Sequence, residues 1–160
     1  MMQSVQLLFT RRRLIGSLLI RGVTWSAFSH VEIVMGDQVI GANMFGGVTL
    51  TPLKERLEKS SYAALVKMPC PDAAVVHNAA LSKLGAGYDY LGLIGILMHS
   101  LRLEDKARFF CSEFVAWAFD QAGSPLIRPE ITGRVTPQHL WMLAYPARTT
   151  GKPLELLSPV

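Results

Sequence analysis

Gly36-Asp37 is the point in this chain that leaves the fewest ways to fold around it. It stands between two short strand-like runs, Ser29 to Met35 and Gln38 to Asn43. A two-residue Gly-Asp step between such runs is a hairpin signal, because glycine readily takes the positive φ of a tight turn. With Met35 opposite Gln38, His30 falls opposite Asn43 and Glu32 opposite Gly41. Strand alternation then puts His30, Glu32, Gly41 and Asn43 on one face. The imidazole has a carboxamide directly across the ladder and a carboxylate two residues along. Either can hold the ring in the orientation that a general base needs. Asn43 is preferred as the directly opposed residue, and Glu32 is the alternative. A slip of one residue would remove Asn43 from the face.

The second informative run is Arg108-Phe109-Phe110-Cys111-Ser112-Glu113-Phe114-Val115-Ala116-Trp117-Ala118-Phe119. It predicts a helix from Cys111 to Gln121, closed by Gly123. A cysteine in the first turn sits in the positive field of free N–H groups, which favours the nucleophilic thiolate. A histidine alongside would complete the ion pair of a cysteine hydrolase. Glu113 complements the helix dipole and is expected to point away from the thiol. The order is histidine first and cysteine last.

The remaining elements follow from local signals. Ser4 to Thr10 reads as a strand, and Arg13 to Gly22 as a helix with apolar residues at 14, 15, 18 and 19. Val48 to Thr51 predicts a further strand. Pro52 opens a short charged helix to about Lys59. Tyr62 to Met68 is a strand. Asp72 caps a helix running to Leu84, ended by Gly85 and Gly87. Tyr88 to Ser100 reads as an apolar helix, and Thr136-Pro137 caps another to about Ala144. A hairpin-rich first half with helices around it is α+β, and no linker or repeat divides residues 1–160.

Composition narrows the function classes. Half of the 160 residues are hydrophobic and 18% are charged, which suits one folded unit with a proper core. The apolar run Leu91 to Met98 is eight residues, against about 20 needed to span a bilayer. The stretch Leu14 to Ile20 is also short, so no signal peptide is expected and the default compartment is the cytoplasm. The net charge of +4 resides in the first 29 residues, which hold Arg11, Arg12, Arg13 and Arg21 and no acid. That cluster suits an anionic surface, or simply a solvated helix start. It lacks the aromatic interleaving and motifs of sequence-specific nucleic-acid binding. The two cysteines have no metal spacing, and no cofactor is called for. Cys70, in Pro69-Cys70-Pro71, reads as structural. His77, His99 and His139 also read as structural, without ligand spacing.

Taken together, Ser29-His30-Val31, Tyr88-Asp89-Tyr90, Phe110-Cys111-Ser112-Glu113 and Thr136-Pro137, in this order, resemble the circularly permuted papain-like families. These are the YiiX/YaeF-like branch of the NlpC-type superfamily and, more distantly, the lecithin:retinol acyltransferase-like proteins. The resemblance implies a permuted papain-like fold, a small antiparallel sheet packed by helices. It implies Cys111 as nucleophile, His30 as base and a third polar residue on the strand after the histidine. For YiiX-like members a glutamate is expected about where Gly41 stands. This chain departs there, and Glu32, across the ladder from Gly41, can place a carboxylate in nearly the same space. Tyr88 is a candidate hydrogen-bond donor into the cleft, to an oxyanion or substrate. The expected activity is hydrolysis of an amide in a peptide or amino-acid-linked substrate through a thioester acyl-enzyme. Two alternatives stay open: a lipid acyltransferase or thioesterase acting on lipid-linked substrates, and a binding module that has lost the chemistry.

Overall fold

The computed structural model describes residues 3–11, 26–88, 108–128, 130, 135–143 and 148–150. Its main sheet has six antiparallel strands in the order β4-β3-β2-β1-β5-β8. These are β1 (Gln3–Arg11), β2 (His30–Met35), β3 (Gln38–Asn43), β4 (Gly47–Pro52), β5 (Tyr62–Cys70) and β8 (Arg148–Thr150). Two short strands, β6 (Gly87–Tyr88) and β7 (Arg108–Phe109), pair in parallel beside it. Four helices complete the described chain: α1 (Leu53–Glu58), α2 (Ala73–Leu81), α3 (Cys111–Gln121) and α4 (Pro137–Leu143). This is the α+β architecture expected from the sequence.

The hairpin forms in the expected register. Met35 pairs with Gln38, Val34 with Val39 and Ile33 with Ile40. Gly36 turns the chain at φ +62°, a conformation in which a Cβ costs energy. Gly36→Ala is therefore expected to destabilise the fold by roughly 1 kcal/mol, read as a lower urea midpoint at unchanged slope. An unchanged midpoint would mean that this turn relaxes without strain.

β2 is an inner strand, with β1 on its other side pairing Thr10 with His30 and Leu8 with Glu32. Because side chains alternate, the sheet has two buried faces. Val5, Leu7, Phe9, Val31 and Ile33 pack with Phe114 and Phe119 of α3. Leu8, Val34 and Val39 pack instead with Leu53 and Leu57 of α1. His30 and Glu32 share the alternation of Val34, so they belong to the α1 face.

Helix limits follow the capping residues. Asp72 Oδ1 accepts from Ala74 N at 2.8 Å to start α2. That helix stops at Leu81, three residues before the expected end. Lys83 N and Leu84 N make tight bonds to the carbonyls three residues back. Gly85 N then bonds Val48 O, and Ala86 O accepts from Val48 N. The strand edge of β4 thus takes the backbone groups that another helical turn would have used. Tyr88 likewise lies in β6, paired with Phe109, rather than opening a helix. The helix expected over Arg13 to Gly22, the rest of the segment to Ser100, and His99 lie outside the described residues. Among the described residues no helix is long and apolar enough to cross a membrane.

Candidate active site

α3 begins where the sequence places it. Phe110 is extended (φ −99°, ψ 166°) and Cys111 is the first helical residue. The helix ends at Gln121 and is closed by Gly123, whose φ of +65° reverses the chain while its N–H bonds Asp120 O. Glu113 turns its carboxylate back along the helix, where Oε2 accepts from Phe110 N at 3.4 Å. Ser112 Oγ donates to Val135 O, tying the helix start to the segment that leads into α4. Cys111 is buried, 5% exposed, in the first turn, where backbone N–H groups lack intrahelical acceptors.

The structure brings His30, Glu32 and Cys111 together. The imidazole of His30 lies close enough to the Cys111 side chain for the two to influence each other's charge. His30 Nε2 also lies 3.3 Å from Glu32 Oε1, an ion-pair contact rather than an aligned hydrogen bond. His30 is the first residue of β2, and Cys111 is the first residue of α3.

Glu32 is completely buried. Its charge is met by Arg56 of α1, a residue that the sequence reading missed. Arg56 Nη2 donates to Glu32 Oε1 at 2.7 Å, and Arg56 Nε lies 2.7 Å from Oε2. The clue was available: Leu53, Arg56 and Leu57 are the buried residues of α1. A charge on an apolar helix stripe calls for a buried partner.

Asn43 stands on the expected face but is turned away from the imidazole. Its Nδ2 donates to Gly41 O at 3.1 Å and to Thr49 Oγ1 at 2.8 Å, and its Oδ1 accepts from Arg56 at 2.7 Å. Of the two candidates for the third residue, Glu32 is the one beside His30, and Asn43 meets it only through Arg56. The reason is steric. A Cβ on Gly41 would stand 2.6 Å from Glu32 Cγ, so Glu32 occupies the space that a side chain at position 41 would fill. The bare glycine lets the carboxylate lean across from the neighbouring strand.

The electrostatics follow from this packing. Burial works against a charged imidazole, but Glu32 and then Cys111 outweigh it and raise the His30 pKa from 6.5 to about 9. Burial likewise opposes a charged Glu32, yet His30 and then Arg56 hold its carboxyl below the usual range. The site at neutral pH therefore contains an imidazolium between the Glu32 carboxylate and Cys111.

The other expectations have separate places. Cys70 is a buried free thiol ending β5, and Cys111 is also a free thiol. Burial and then Asp72 push the Cys70 thiol up. His139 Nδ1 accepts from Thr136 N at 3.1 Å, closing the first turn of α4. Arg11 ends β1 with its guanidinium 4.9 Å from the Tyr62 ring centre, while Arg12, Arg13 and Arg21 lie outside the described residues. The expectation for the Tyr88 side chain also lies outside them. Among the described residues no group of three His, Cys, Asp or Glu side chains is arranged to hold a metal ion.

No family model matches the chain. In sequence it is 27% identical over 167 aligned positions to the probable lipoprotein peptidase YaeF of Escherichia coli (strain K12), covering 84% of this chain. The chain spans 61% of the length of that relative. In fold it is similar to the crystal structure of the metalloprotein yiiX from Escherichia coli O157:H7, with TM-score 0.63 and 19% identity over 94% of this chain and 97% of that one. Among the described residues no donor set suits the metal of that protein's description, and both oxygens of Glu32 are engaged by Arg56 and His30. The chain is thus similar to YaeF in sequence and to yiiX in fold.

Proposed function

We propose that this chain is a cysteine hydrolase that cleaves an amide in a peptide or amino-acid-linked substrate. The observation that carries the reading is the contact of His30 with Cys111 at the start of α3, backed by buried Glu32. The peptidase name of the YaeF relative supports amide over ester as the scissile bond. In the first half-reaction the Cys111 thiolate adds to the substrate carbonyl carbon. The helix-start N–H groups stabilise the oxyanion. The carbon–nitrogen bond then breaks, and the amine leaves with the proton from the His30 imidazolium, giving a thioester. In the second, neutral His30 takes a proton from water as its oxygen adds to the thioester. The carbon–sulfur bond breaks, releasing the acid and restoring the thiolate–imidazolium pair. Glu32 keeps the ring oriented and balances its charge throughout.

Thiol alkylation tests this reading without knowledge of the substrate. Brief iodoacetamide treatment at pH 6 to 7, followed by peptide mapping, is expected to label Cys111 well before Cys70. An ordinary thiol, with pKa about 8.5, is mostly protonated there. His30→Ala should slow labelling of Cys111 at least about tenfold and leave Cys70 unchanged. Equal slow labelling of both cysteines in folded, reduced protein would instead favour a binding module. A dipeptide amide and a fluorogenic acyl ester, tested side by side, separate the peptidase from an acyltransferase or thioesterase.

A further inference from the structure

The geometry points to Arg56 as a positioning residue of this site, the clamp that keeps Glu32 ionised and held against His30. The inference rests on the Cys111–His30 reading above and goes beyond it, because Arg56 touches neither of those residues in the contacts described.

Three observations carry it. First, the clamp is two-pronged. Arg56 Nη2 donates to Oε1 at 2.7 Å, and Nε makes an ion-pair contact with Oε2 at 2.7 Å that is not aligned as a hydrogen bond. A planar guanidinium fixes a carboxylate in orientation as well as in charge, which a lysine does not do. Second, the clamp is itself braced. Arg56 Nη2 also donates to Asn43 Oδ1 at 2.7 Å, and Thr51 Oγ1 lies 3.3 Å from the same nitrogen. Asn43 is anchored in turn on Gly41 O and Thr49 Oγ1. Third, Glu32 has left the space that would let it relax. It fills the gap in front of Gly41, and its side chain has no exposure to water. A carboxylate in that position stays charged only beside cations.

The charged groups facing one another here come from three elements. Glu32 and His30 lie on β2, Arg56 on α1, and Cys111 starts α3. Asn43 of β3 and Thr51 of β4 contribute neutral dipoles, and Glu113 is turned to the Phe110 N–H. With Arg56 present, the carboxylate is balanced and the positive charge of His30 is left for the thiolate. Without it, two outcomes are open, and both act in one direction. Either Glu32 accepts the proton from His30, or the imidazolium spends its charge on Glu32 alone. The thiolate loses a cation in each case.

The experiment is the pH profile of Cys111 alkylation by iodoacetamide in the full chain, with Cys70 as internal reference. Arg56→Met should move the midpoint of that profile upward by about one pH unit or more, which is a roughly tenfold slower rate near neutrality. Arg56→Lys, which keeps the charge and loses the fork, should recover part of the shift. Asn43→Ala and Thr51→Val leave Arg56 in place and loosen its brace, so smaller shifts in the same direction are expected. They also keep the inference testable if Arg56→Met does not fold. A residue that merely supports the fold would lower the urea midpoint without moving the alkylation profile. Unshifted profiles in folded Arg56→Lys, Asn43→Ala and Thr51→Val, with His30→Ala still slowing Cys111, would overturn the role of Arg56 alone. Wild-type labelling in His30→Ala would overturn the hydrolase reading on which it rests.

Discussion

Glu32→Ala is expected to lower the stability of the fold by about 3–5 kcal/mol, among the largest effects of any single change in this chain. The cause is the charge that it leaves behind. Arg56 is buried, and Glu32 is the anion facing its guanidinium. Removing one member of a buried pair leaves the other uncompensated, which costs more than the pair contributes when intact. Glu32→Gln keeps the shape and should cost nearly as much. The double change Glu32→Met with Arg56→Met should recover most of the loss, since apolar side chains of similar size suit the Leu53–Leu57 cluster beside it. Urea unfolding at pH 7 reads all three. A loss below about 1 kcal/mol in Glu32→Ala would show that the guanidinium is solvated in solution.

Glu32 and His30 set how stability varies with pH. Glu32 titrates below its ordinary value of 4.5, so its contribution is complete above that value and is lost as pH falls through the lower folded value. His30 is raised from 6.5 to about 9, so its contribution is complete below 6.5 and is lost as pH rises through about 9. The urea midpoint should therefore be flat between the two and fall on both sides. His30→Ala should remove the alkaline fall, and Glu32→Gln should remove the acid fall.

The second large effect is on catalysis. Cys111→Ala should reduce amide hydrolysis to background, because no thioester can form. His30→Ala should lower kcat/KM by about 10²–10⁴, the usual contribution of a positioned acid–base group. Asn43→Ala should cost less than His30→Ala, since Asn43 meets Glu32 only through Arg56. In the wild type, kcat/KM should decline as pH rises through about 9, where the imidazolium that protonates the leaving amine is lost. Steady-state rates with a dipeptide amide from pH 5 to 10 check each point. A rate in His30→Ala within a few-fold of wild type would remove His30 from the mechanism.

What could be read from the sequence was local in origin. A turn needs a residue that tolerates positive φ, and Gly36 supplies it, so the register of β2 and β3 followed from two residues. Alternation then placed His30, Glu32, Gly41 and Asn43 on a shared face before any contact was known. The start of α3 at Cys111 and its closure by Gly123 follow from backbone preferences over a few positions. Periodicity of this kind reports faces and ends, not distances.

The tertiary structure decided the rest. It chose Glu32 over Asn43 as the neighbour of His30, because a carboxylate on one strand can lean over a glycine on the next. That choice depends on a missing Cβ and on side-chain reach, to which alternation is blind. It ended α2 at Leu81, because β4 claimed the backbone groups of residues 85 and 86. It also placed Arg56, far from Glu32 in sequence, against the one buried carboxylate among the described residues. A buried guanidinium is tolerable only where its counter-charge is already waiting, and that partner exists only once α1 has packed on the sheet.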